Sequence, residues 1–71
     1  MNPVITLYPG KRVIVLEHWR AHGKIGGWER WEQEHEIVKV NRRTVRTHRI
    51  LPNGETGQFW IVPIDRILRN K

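Results

Sequence analysis

The sequence predicts an all-β fold of about five short strands. Three observations carry it: runs of β-branched and aromatic residues, turn signals between those runs, and glycines that interrupt the segment with helical spacing. Tyr8-Pro9-Gly10 marks the first turn. A short strand is expected before it at residues 4–7 and a longer one after it at residues 11–17. Residues 20–31 hold Gly23, Gly26 and Gly27, which favours a long Trp/Gly-rich excursion over a continuous helix. Within and just beyond it, residues 28–34 place Trp28 and Trp31 three apart, the spacing of one or two helical turns.

Residues 36–40 then read as a strand, Asn41-Arg42-Arg43 as a tight turn and residues 44–50 as the partner strand. Asn53-Gly54 lies in the second turn, residues 52–57, where a hairpin requires positive φ. Residues 58–62 form a further strand that Pro63 ends, and residues 64–68 fit a short helical turn. Alternation along these strands places Val13, Val15, Val38, Val40, Val45, Trp60, Val62 and Ile67 in the core. The opposite face of the 36–50 hairpin then carries Lys39, Arg46 and His48, with Arg42 and Arg43 at its tip.

Seventy-one residues suit a single domain spanning 1–71, near the lower size limit for a core without staples. There is no cysteine, so neither disulfides nor thiolate zinc sites assist folding. The longest apolar run, residues 13–16, falls far short of the roughly 20 residues of a membrane span. A cytoplasmic protein with no membrane partner is expected.

A strand, a long loop, three strands joined by tight turns and a closing helical turn together suggest a small SH3-like barrel, which removes exposed sheet edges. The segment "IVKVNRRTVRTHRILPNGETGQFWIVPIDRIL", residues 37–68, resembles the hairpin and closing turn of such barrels, including KOW- and Tudor-like modules. It is similar in particular to short bacterial and bacteriophage barrels with a V-x-V-N-R-[KR]-T-V pattern followed by W-x-V-P. Val38, Val40, Asn41, Arg42, Thr44, Val45, Trp60, Val62, Pro63 and Ile67 carry the resemblance. These are mostly barrel-forming positions, so the resemblance implies fold more than function. The Trp- and His-rich segment 17–36 departs from it.

Candidate chemistry is sparse. His18 and His22 have the i, i+4 spacing of a helical metal pair, and His35 lies between two glutamates, but the nearby glycines weaken any helix there. Glu29, Glu32, Glu34 and Glu36 can share a helical face in part, or, for the last three, a strand face. Without a pocket to separate their pKa values, they read as solvated or arginine-paired charges. No phosphate-binding glycine motif is present. The expectation is a non-enzyme with no cofactor and no metal.

Charge is the informative feature. Residues 1–36 hold five cations and five anions, whereas residues 37–71 hold eight cations against Glu55 and Asp65, so the net +6 lies entirely in the second half. Nine of the thirteen cations are arginine, whose planar fork suits phosphate and carboxylate. A basic solubility surface is the plain alternative. The reading adopted is a nucleic-acid-binding module, for DNA or RNA, with Lys39, Arg42, Arg43, Arg46, His48 and Arg49 on phosphates and Trp28 and Trp31 available for stacking. The alternative is a bacteriophage or accessory protein-interaction module that docks on a protein partner through Trp28 and Trp31; an exposed Trp patch would also suit a homodimer.

Overall fold

The computed structural model describes residues 6–20 and 28–71. Five strands form one antiparallel sheet: β1 (Arg12–Arg20), β2 (Trp28–Val40), β3 (Thr44–Ile50), β4 (Thr56–Pro63) and β5 (Ile67–Asn70). A 3₁₀ turn, Ile64–Arg66, joins the last two. The spatial order is β4-β3-β2-β1-β5, so the chain meanders through four strands before β5 returns beside β1. The all-β expectation holds at this level.

Two tight turns shape the meander. Asn41 N–H donates to the Thr44 carbonyl (2.8 Å), which closes the turn that holds Arg42 and Arg43. In the second, Gly54 adopts φ +86°, its N–H donates to Leu51 and the Asn53 side chain accepts from Glu55 N–H. A positive-φ residue is what this hairpin needs and what Asn-Gly announced.

β1 and β4 are separated by two intervening strands, so in a flat sheet they would lie about 14 Å apart. Instead Val13 and Val15 of β1 share one buried cluster with Ile37, Val45, Val62 of β4 and Ile67. The sheet is therefore strongly curled around its own core, with Leu7, Trp60 and Ile64 packed against the cluster. Irregular pairing in three of the four ladders supplies the bend; only β1–β2 keeps an unbroken register.

Several expectations change. Residues 28–34 are extended strand, not helical turns, because β2 pairs residue for residue with β1 from Arg20↔Trp28 to Arg12↔Glu36. Glu32, Glu34 and Glu36 alternate with Trp31, Gln33, His35 and Ile37, a period of two that overrides the i, i+3 tryptophans. Thr6 and Leu7 are outside any strand, and Val4 and Ile5 lie outside the described residues. Ile67 and Leu68 belong to β5, paired with β1, so the helical turn is only three residues long.

The phase of β2 also differs. Ile37 pairs with Thr47, and Lys39 with Arg46, so Val38 and Lys39 together oppose one residue in a bulge. Ile37 is therefore buried, while Val38 is 38% exposed. Val40 pairs with Val45 yet remains open to solvent at the end of the sheet. Val13, Val15, Val45, Val62 and Ile67 are buried as expected, and Trp60 is half-buried.

Candidate nucleic-acid interface

The curled sheet gives each strand a concave and a convex face, and the polar residues divide unequally between them. On the concave side, Val13, Val15 and Glu17 of β1 pair opposite His35, Gln33 and Trp31 of β2. Glu17, His35 and Thr47 are all buried. His35 Nε2–H donates to Glu17 Oε2 at 2.6 Å, and the Thr47 hydroxyl donates to His35 Nδ1 at 2.7 Å. Arg49 Nε lies 3.1 Å from the same Glu17 oxygen, an ion-pair contact, and Arg49 also donates to Gln33 Oε1 at 3.2 Å. Gln33 in turn donates to the Ile50 carbonyl at 2.9 Å. A single neutral tautomer of His35 satisfies both ring nitrogens.

Burial pushes the His35 imidazolium down from its usual range, with the positive Arg49 and nearby His48 acting the same way; the Glu17 contact opposes but does not outweigh them. A depressed folded-state pKa means that the unfolded chain binds the proton more readily, so stability falls as pH drops. The expected result is an unfolding free energy that falls below about pH 6.5, the ordinary value of the group, by up to about 1.4 kcal/mol per pH unit, seen as a lower melting temperature. Thermal melts from pH 8 to pH 5 check it, and a His35→Gln variant should lose that slope.

The convex side has two territories. β2 presents Glu32, Glu34 and Glu36 in a row, and each is matched. Arg69 of β5 makes two parallel bonds to Glu32 (3.0 and 2.5 Å). Arg12 bridges Glu34 (2.9 Å) and Glu36 (3.0 Å), Lys71 approaches Glu34 (3.4 Å), and His48 approaches Glu36 (3.4 Å). These contacts hold the Glu32 and Glu34 carboxyls below their ordinary range, through Arg69 and Arg12 respectively, and raise the two guanidinium groups.

The second territory is the β2 end, the 41–43 turn and the β3–β4 surface. Lys39, Arg42, Arg43 and Arg46 are exposed there, and among the described residues none has a carboxylate within ion-pair distance. Beside them Phe59 is 58% and Ile61 71% exposed. Phe59 pairs opposite His48 and Ile61 opposite Arg46. The Arg46 guanidinium sits 5.3 Å from the Phe59 centroid and the His48 ring 5.6 Å from it. Lys39, Asn41, Arg46, Phe59 and Ile61 line a shallow depression on this surface.

The structure thus brings together Lys39, Arg42, Arg43, Arg46 and His48. Arg49 is not with them: it sits on the concave side, tied to Glu17 and Gln33. Trp31 is half-buried and pairs opposite Glu17, also on the concave side. Trp28 opens β2 opposite Arg20, far along the sheet from the 41–43 turn. His18 lies on β1, so the helical pairing with His22 does not form there, and His22 itself is outside the described residues.

Phe59 and Ile61 were missed by the sequence reading, although the signal was present: if Trp60 and Val62 face the core, their neighbours must face out. The buried Glu17–His35–Thr47 chain joins three strands and had no local signature. Among the described residues no group of three His, Asp or Glu side chains is placed to hold a metal ion, and no helix is long and apolar enough to cross a membrane. No protein-family model, curated protein or solved structure matches the chain.

Proposed function

We propose that the chain is a small SH3-like barrel that binds nucleic acid through the convex face of β3–β4 and the 41–43 turn. The strongly curled meander, with β5 returned beside β1, supports the barrel reading. One observation carries the functional reading: the acidic row of β2 is matched by Arg12, Arg69, Lys71 and His48, and among the described residues Lys39, Arg42, Arg43 and Arg46 have no carboxylate within ion-pair distance, so their positive charge faces solvent. Four cations on one surface attract a polyanion and release its counterions on binding. Nothing in this arrangement selects DNA over RNA, since the contacts are to phosphate.

The test is anisotropy of labelled nucleic acid across a salt series. Affinity is expected to fall with salt, with a log–log slope near −0.7 to −0.9 for each phosphate neutralised. Arg42→Glu/Arg43→Glu/Arg46→Glu should weaken binding by at least about 100-fold and flatten that slope by roughly 2–3. Unchanged binding in this variant would overturn the reading. Docking on a protein through Trp28 and Trp31 is the second reading, favoured by their position on strand ends that extend past the β3 and β5 ladders; such a partner would be retained by the triple variant and lost on Trp31→Ala.

A further inference from the structure

Among the described residues, Phe59 and Tyr8 are the aromatic side chains more than half exposed, and Phe59 alone of the two stands beside the cationic surface. It is also held in position. Arg46 lies against the ring and His48 approaches it at 56°, so a ligand that uses the open side meets a fixed platform. Next to it, Lys39, Arg42, Arg43 and Arg46 supply charge, and Ile61 extends the apolar surface by one strand repeat, about 6.8 Å.

We infer that the ligand of this surface is a single-stranded nucleic acid, one of whose bases stacks on Phe59 while its flanking phosphates lie against Arg46, Lys39 and the 41–43 turn; this rests on the nucleic-acid reading above. Such a strand presents what the surface needs, a flat apolar ring within reach of a negative charge. In a duplex the base faces are covered by their neighbours in the stack, so Phe59 and Ile61 would meet only backbone. A second copy of this chain fits worse, because a self-complementary contact would bring Lys39, Arg42, Arg43 and Arg46 against their equivalents without intervening carboxylates. Phe59 is held in the sheet: it pairs with His48 at the last regular position of the β3–β4 ladder before the irregularity between His48 and Ile50, and the neighbouring Trp60 packs against the core.

The experiment compares labelled oligo(dT), oligo(U) and a mixed-sequence DNA duplex by fluorescence anisotropy at low salt, using the full chain and its Phe59→Ala and Phe59→Trp variants. Single strands should bind at least about tenfold more tightly than duplex, and Phe59→Ala should weaken single-strand binding by roughly 5- to 100-fold. The same variant should leave duplex binding within about twofold, because it removes no charge. Phe59→Trp should retain or strengthen the single-strand preference. Phe59 is exposed, and a thermal melt of each variant verifies that the fold is kept. Equal affinity for single strands and duplex, with Phe59→Ala indistinguishable from the parent on both, would overturn the stacking inference while leaving the phosphate-binding reading standing. Absence of binding to all three probes would overturn both. A preference for oligo(U) over oligo(dT), or the reverse, with the Phe59→Ala loss intact would support stacking and identify the strand chemistry.

Discussion

Replacing Glu17 with alanine is expected to lower the unfolding free energy by about 3–5 kcal/mol, comparable with what one core supplies to a domain this small. The carboxylate is buried and receives two partners at once, the His35 Nε2–H and the Arg49 guanidinium. Without it a buried N–H loses its acceptor and a largely covered cation loses its counter-charge, and each group keeps its desolvation cost. Glu17→Gln keeps the shape and can still accept from His35, so it should cost less, about 1–3 kcal/mol. Removing both members of the Glu17–His35 pair in a shape-conserving double change, Glu17→Met/His35→Leu, should recover only part of the loss, because the orphaned His35 N–H disappears while Arg49 and the Thr47 hydroxyl still lose their partners. Urea titrations followed by circular dichroism give all three values. A Glu17→Ala loss under about 1 kcal/mol would mean that the network does not hold the sheet together.

The second large effect separates two neighbouring residues. Ile37→Ala should cost about 2–5 kcal/mol, because Ile37 is buried in the central cluster and truncation leaves a cavity. Val38→Ala should change stability by no more than about 0.5 kcal/mol, because the bulge turns Val38 outward. Equilibrium unfolding of both variants decides the matter, and the reverse ranking would place Val38 in the core and remove the bulge.

That pair of residues also marks where the sequence stopped being legible. The strands with simple alternation, Val13–Val15 and Val45–Thr47, and the Asn53-Gly54 turn, could be read directly because side-chain period and turn chemistry are local properties. The bulge could not, since no residue type announces it and Val38-Lys39-Val40 mimics a regular strand with its apolar residues inward. β5 was hidden for a related reason: Ile67–Asn70 is extended because β1 offers it an edge, and its own residues do not require it. For the candidate site, the charge of Lys39, Arg42, Arg43 and Arg46 was visible in composition and alternation. Which cations would be neutralised was not, because Arg12, Arg69 and Lys71 find Glu32, Glu34 and Glu36 only after β1 and β5 are in place. The separation of Arg49 from that surface was hidden on the same ground, its ion-pair partner Glu17 lying 32 positions earlier in the chain.

The unbroken β1–β2 ladder has one more consequence. The β2–β3 pairing ends at His35 and the β1–β5 pairing at Val15, so among the described residues the strand ends beyond Glu17 and before Gln33 are laddered only to each other. A two-stranded ribbon is marginal by itself. Its root is where Glu17, His35, Arg49 and Gln33 meet, and those four side chains act as a hinge pin between a cooperative body and a lever built from the same two strands. Arg69 of β5 reaches the same ribbon at Glu32, so side chains on both faces tie its root to the body. Protonating His35 or breaking the pin would therefore loosen the ribbon before it unfolds the curled sheet, and the cationic face, anchored on β3 and β4, would feel it last.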